Sequence, residues 1–143
     1  MNKELAFAIL RVGLGLNILF HGLIRLPNLK KFSNSLTEEF EGTILPSTAV
    51  NVFGYSLPLL ETIVGILLTI GLFTQSVLIA GALIMIVLLF GKSLKSEWQI
   101  VSFQQIYILI YALLLFLLEF NLFSFDFIFL PKTNRLFCFI NVL

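Results

Sequence analysis

Cysteine occurs once in this chain, at position 138, and histidine once, at position 21. A single thiol excludes an intramolecular disulfide and a Cys-x-x-Cys redox pair. A single imidazole excludes haem held by two histidines of one chain. One His and one Cys in distant segments make no ligand set, so no metal site and no covalently bound cofactor are expected. Charge is equally scarce: 12% of residues are charged, and nine basic against eight acidic side chains leave a formal net charge of +1. Such a balance offers no field to a phosphate backbone, which excludes nucleic acid as a partner.

What fills the chain instead is apolar. Of 143 residues, 59% are hydrophobic and sixteen are Phe, and the mean hydropathy is +1.04. Soluble domains run near about 45–50% apolar and about 25% charged, so the solvent here is a lipid bilayer. The expected fold is an all-α membrane protein of one domain, a bundle of four transmembrane helices over about 5–26, 49–72, 76–90 and 100–120. Between the first two lies an amphipathic segment, 28–45, with Leu29, Phe32, Leu36 and Phe40 at spacings of three and four. It is too polar to span and reads either as a solvated helix packed on the bundle or as a lid. The tail, 121–143, has two short apolar pieces and is expected at the interface. The N-terminal run resembles a secretory leader, but Arg11 interrupts it and no small-x-small cleavage pattern follows, so it reads as a retained span.

The first span carries Arg11, Asn17, His21 and Arg25. Ionisable groups in hydrocarbon cost at least about 2.5–3.5 kcal/mol on insertion scales, so each must find a partner, a cavity or an interface. At about 100° per residue these four share one side of the helix. The second span holds one carboxylate, Glu61, on a face with Gly54, Pro58, Thr62, Gly65 and Thr69. Pro58 is expected to kink it. The fourth carries Gln104, Gln105, Tyr107 and Tyr111, of which Gln104, Tyr107 and Tyr111 form a further polar stripe.

Matching the midpoints of the apolar runs puts Arg11 within reach of Glu61, and an Arg11–Glu61 ion pair is expected, either locking helices or relaying protons. On the opposite side of the membrane, the B side, His21 falls at the depth of Gln104 and Gln105, with Tyr107 deeper and Arg25 and Trp98 at the mouth. These residues form the candidate site. His21, Tyr107 and Glu61 are the candidate reactive groups; Arg11, Arg25, Gln104, Gln105 and Trp98 are the candidate ligand-binding groups.

The phrases LRVGLGLNILFHGLIRLPNLKKF, LPLLETIVGILLTIGLFTQ and SLKSEWQIVSFQQIYILIYALLLFLL resemble the DoxX family of bacterial four-helix membrane proteins. The resemblance runs over about residues 7–126. It rests on the order Arg11, Gly13 or Gly15, His21-Gly22, then Glu61, Gly65, Gly71-Leu72-Phe73-Thr74 and finally Asp126, with Gln75 standing where the family commonly has a basic residue. It implies a multi-pass protein of the bacterial cytoplasmic (inner) membrane, working beside quinone-linked or sulfur oxidoreductases such as thiosulfate:quinone oxidoreductase.

Two functions follow. In the first, the chain is a quinone-interacting membrane subunit of an oxidoreductase, with quinone as its non-covalent ligand. In the second, it is a non-catalytic structural or assembly subunit of a larger membrane complex. A small-molecule transporter is a third, weakened by the narrow bundle and the lack of an internal repeat. Expected partners are the bilayer, another protein or complex, and further copies of the chain in a homo-oligomer. Counting basic residues puts side B in the cytoplasm, the family's usual loop charge gives the reverse, and both orientations stand.

Overall fold

Four long apolar stretches have no water to bond their backbones, so each closes its hydrogen bonds within a helix. The computed structural model describes residues 2–129, and the described residues are helical throughout, joined by short turns. Helix α1 spans Lys3–Arg25, α2 Leu29–Glu39, α3 Ser47–Ile70, α4 Thr74–Leu94, α5 Trp98–Phe116 and the short α6 Phe125–Phe129. Single 3₁₀ turns follow α1 at Leu26–Asn28 and α5 at Leu118–Phe120. Four of the helices are long and apolar enough to cross a membrane, α1 running on through α2 with only the 3₁₀ turn between. The expected all-α, four-span architecture is the one observed. Much of the tail, with Cys138, lies outside the described residues.

The helices pair unevenly. α1 lies along α3, α5 lies along α4, and α2 folds onto the first part of α3. α3 and α4 touch less, and α1 and α5 touch little. The core between the pairs is built from Phe7, Leu14, Ile18, Leu57, Val64, Leu68, Val77, Leu78, Tyr111 and Leu114.

Small residues set the closest approach. In lipid there is no hydrophobic force between helices, so dispersion and tight backbone contact decide the packing. A Cβ on Gly65 would lie 2.5 Å from the Leu19 backbone, one on Gly22 2.7 Å from the Thr62 nitrogen and the Pro58 carbonyl, and one on Gly15 2.8 Å from the Thr69 nitrogen. Thr62 and Thr69 donate their hydroxyls back to Pro58 O and Gly65 O, each at 2.7 Å, which satisfies the protons within α3 while the oxygens pack against Gly22 and Gly15. Ser33 of α2 closes on Gly54 in the same way and donates to Asn51 O at 2.9 Å.

These contacts fix the antiparallel register: residue 19 faces 65, and 15 faces 69. Gly65→Leu should therefore push α1 from α3 and lower stability by about 1–3 kcal/mol, read as a fall in Tm in detergent. Ile66→Leu, on the lipid side of the same turn, should leave Tm unchanged.

Candidate functional site

With residue 19 opposite 65, residue 23 faces Glu61, and Arg25 is the cation within reach. Its Nη1 donates to both Glu61 carboxylate oxygens, at 2.8 and 2.7 Å. The carboxylate is buried, with 3% of its side chain exposed, against 30% for the arginine. The Arg25 guanidinium also lies over the Phe32 ring of α2, 4.9 Å from its centroid, so the charge is held between a carboxylate and an aromatic face. Tyr111 of α5 is wholly buried against Gly81. Its hydroxyl finds no hydrogen-bond partner among the described residues.

The expected Arg11–Glu61 pair is thus overturned. Midpoint matching places Glu61 opposite residue 15, and the glycine contacts shift that by eight residues, about 12 Å along the axis. Arg11 works elsewhere. Its Nη1 donates to Leu68 O at 2.5 Å and Thr69 O at 3.0 Å, and its Nη2 to Phe123 O at 2.7 Å. Leu68 and Thr69 belong to the last turn of α3, whose carbonyls have no helical donors of their own. Arg11 therefore caps α3 and meets the negative end of its dipole.

Asp126 does the complementary work. Its carboxylate accepts from Phe73 N and Thr74 N, both at 2.7 Å, at the start of α4, and its own amide donates to Gly71 O at 3.0 Å. Gly71 turns with φ 73°, a conformation glycine adopts without strain, and Phe73 follows at φ 52°. Asn121 Nδ2 adds a bond to Thr74 Oγ1 at 3.0 Å. One cation and one anion thus close the α3–α4 turn from both sides.

The other candidates are spread out. His21 is exposed on α1 and, among the described residues, makes no hydrogen bond or ion pair. Tyr107 is half-buried against the core, Gln104 is half-buried with its Oε1 enclosed and unpartnered, Gln105 is exposed, and Trp98 is 65% exposed at the start of α5. The structure brings Arg25 and Glu61 together. It does not join His21 to Gln104, Gln105 or Tyr107 by any hydrogen bond. Two surface hollows, of about 620 and 340 Å³, lie along α2 and the loop after it rather than at the pair.

The sequence reading missed Tyr111 as a member of the buried cluster, and Asp126 as a cap. It also missed Lys92 at the foot of α4, which bonds Glu39 of α2 and, at 3.1 Å, Glu97. One signal was available for the register. Gly15 and Gly22 are seven residues apart, as are Thr62 and Thr69 around Gly65, and matching the two rows of small residues would have placed Arg25 beside Glu61.

The order Arg11, Glu61, Gly71-Leu72-Phe73-Thr74 now has a structural meaning, and it coincides with a family pattern: the sequence model of the DoxX family matches residues 6–91, more than half of the chain. The chain belongs to the DoxX family. No curated protein and no solved structure matches it. The DoxX match takes in α1 to most of α4, and with them both the Arg25–Glu61 pair and the α3–α4 turn. α5, with Tyr107 and Tyr111, and the Asp126 clasp lie beyond the matched segment.

Two outcomes follow for this DoxX protein. Arg25→Met alone leaves Glu61 buried without a partner and should cost about 3 kcal/mol, whereas Arg25→Met with Glu61→Leu should recover most of that loss. Asp126→Ala, which uncaps α4, should cost about 1 kcal/mol. Denaturant titration in detergent reads both.

Proposed function

We propose that this chain is a quinone-interacting subunit of an oxidoreductase system in the bacterial cytoplasmic membrane. The observation that carries the reading is the unused polar chemistry beside the Arg25–Glu61 pair. His21 lies one turn before Arg25, is exposed, and has no hydrogen-bond or ion-pair partner among the described residues. Because α1 and α5 touch little, the flank of the bundle beside His21 is open to lipid, the phase that carries an isoprenoid quinone.

Reduction of a quinone to its quinol takes up two electrons and two protons, and the electrons come from a partner redox protein. The chain's own work is to bind and to handle protons. His21 and Tyr107 donate to the two ring oxygens from α1 and α5, while Arg25 and Gln105 orient the head group and Gln104 and Trp98 line its approach. Glu61, buried and paired with Arg25, is the group that passes protons inward. Arg11 has no part in this, being committed to the α3 carbonyls.

A specific observation favours the second reading, a structural or assembly subunit: both Glu61 oxygens are taken by Arg25, which fits a helix lock. Binding separates the two. Under the quinone reading the purified protein binds a quinone analogue, and His21→Ala abolishes binding while Tm moves by less than about 2 °C, since an exposed substitution costs within about 0.5 kcal/mol. A native protein that binds no analogue, or variants His21→Ala and Glu61→Gln that lower Tm and leave binding intact, would give the assembly reading the field.

A further inference from the structure

The outward face of α1 carries a second pattern, separate from the pair and from the quinone reading. Ala6, Leu10, Gly13, Asn17, Phe20 and Ile24 are spaced four, three, four, three and four residues apart, and all six are exposed. They lie roughly a third of a turn round the helix from the buried row Phe7, Arg11, Leu14, Ile18 and Gly22. Such a 4–3 alternation is the heptad seam of a left-handed helix pair, with Leu10, Asn17 and Ile24 at one core position and Ala6, Gly13 and Phe20 at the other.

Apolar rows are common on a lipid-facing helix, and Asn17 is what sets this one apart. Its amide has two donor hydrogens and an acceptor oxygen, lies three residues, about 4.5 Å, from the centre of α1, and makes no hydrogen bond among the described residues. Facing hydrocarbon alone, it would go unpaired at a cost of order 1–3 kcal/mol. Gly13, one turn earlier, has nothing within 4 Å of where a Cβ would stand. Among the described residues nothing uses the amide or the gap beside it.

We infer that α1 pairs with α1 of a second copy in a parallel dimer, Asn17 bonding to Asn17 across the two-fold axis. The occupant is a second copy because an amide is its own complement: it donates and accepts, so two related by a two-fold satisfy each other. All copies insert with one orientation, set by their loop charges, so the axis runs along the membrane normal and equal residues meet at equal depth. A single Asn at one heptad position fixes the register of such a pair, and Gly13 lets the backbones close beside it.

Disulfide trapping in native membranes tests the seam. In a Cys138→Ser background, Leu10→Cys, Gly13→Cys, Phe20→Cys and Ile24→Cys should each form a dimer on mild oxidation, and the off-seam Leu16→Cys and Leu23→Cys should not. Energy transfer between labelled copies in proteoliposomes, diluted with lipid, gives the strength of the contact. Asn17→Leu should weaken it about three- to twentyfold, the range for interhelical hydrogen bonds in membranes, and should leave the Tm of the dispersed monomer unchanged. Equal trapping on and off the seam, adducts with a different protein, or no energy transfer at any dilution would overturn the proposal.

Discussion

The close contact of α1 with α3 governs the rest of the molecule. Gly15, Gly22 and Gly65 bring two backbones together at Leu19, Thr62 and Thr69, and at that distance only one register interleaves the side chains. Register then distributes charge. It sets Arg25 against Glu61 and carries Arg11 to the end of α3, where two carbonyls have no helical donor. A slip of one turn would leave a carboxylate in hydrocarbon without a cation, so packing and electrostatics select the same alignment.

The charges near the membrane are used economically. A buried ion pair is weak evidence for stability, since desolvation of both members offsets much of their attraction. Arg11 and Asp126 act differently, because each bonds backbone groups that the helix termini would otherwise leave unpaired. They complement the two dipoles that meet at the α3–α4 turn, the cation at the C-terminus and the anion at the N-terminus. That turn, Gly71-Leu72-Phe73-Thr74, lies inside the segment that matches the family, and its residues close the junction of α3 and α4.

Much of the architecture was legible in the sequence because it depends on local quantities. Apolar length gave the four spans, and the spacing of Leu29, Phe32 and Leu36 gave α2. The partner of Glu61 was not legible from depth, because midpoint matching assumes that every span is centred alike. α1 begins about eleven residues before the level of the α3 terminus, and the segment after α5 packs beside that overhang, with Lys3 over the Phe120 ring at 5.1 Å and Phe123 O accepting from Arg11. The capping role of Asp126 was not legible for a related reason, since it needs a chain reversal that no local pattern encodes. The site around His21 is expected from residue types placed at a common depth, and of the candidate residues the structure joins Arg25 to Glu61.

What the fold leaves over is as informative as what it uses. Arg11, Arg25, Glu61 and Asp126 are each bonded, and Thr62 and Thr69 satisfy themselves within α3. His21, Asn17 and the Tyr111 hydroxyl are not, among the described residues. Helix packing gains nothing from these three, since an alanine, a leucine and a phenylalanine would serve it as well or better in lipid. Their positions differ in kind. The Tyr111 hydroxyl is enclosed in the core against Gly81, His21 is exposed on α1, and Asn17 lies in a row of exposed apolar and small residues. An enclosed hydroxyl suits proton handling, a flank imidazole suits a ligand arriving through the bilayer, and a mid-span amide in a heptad row suits another helix.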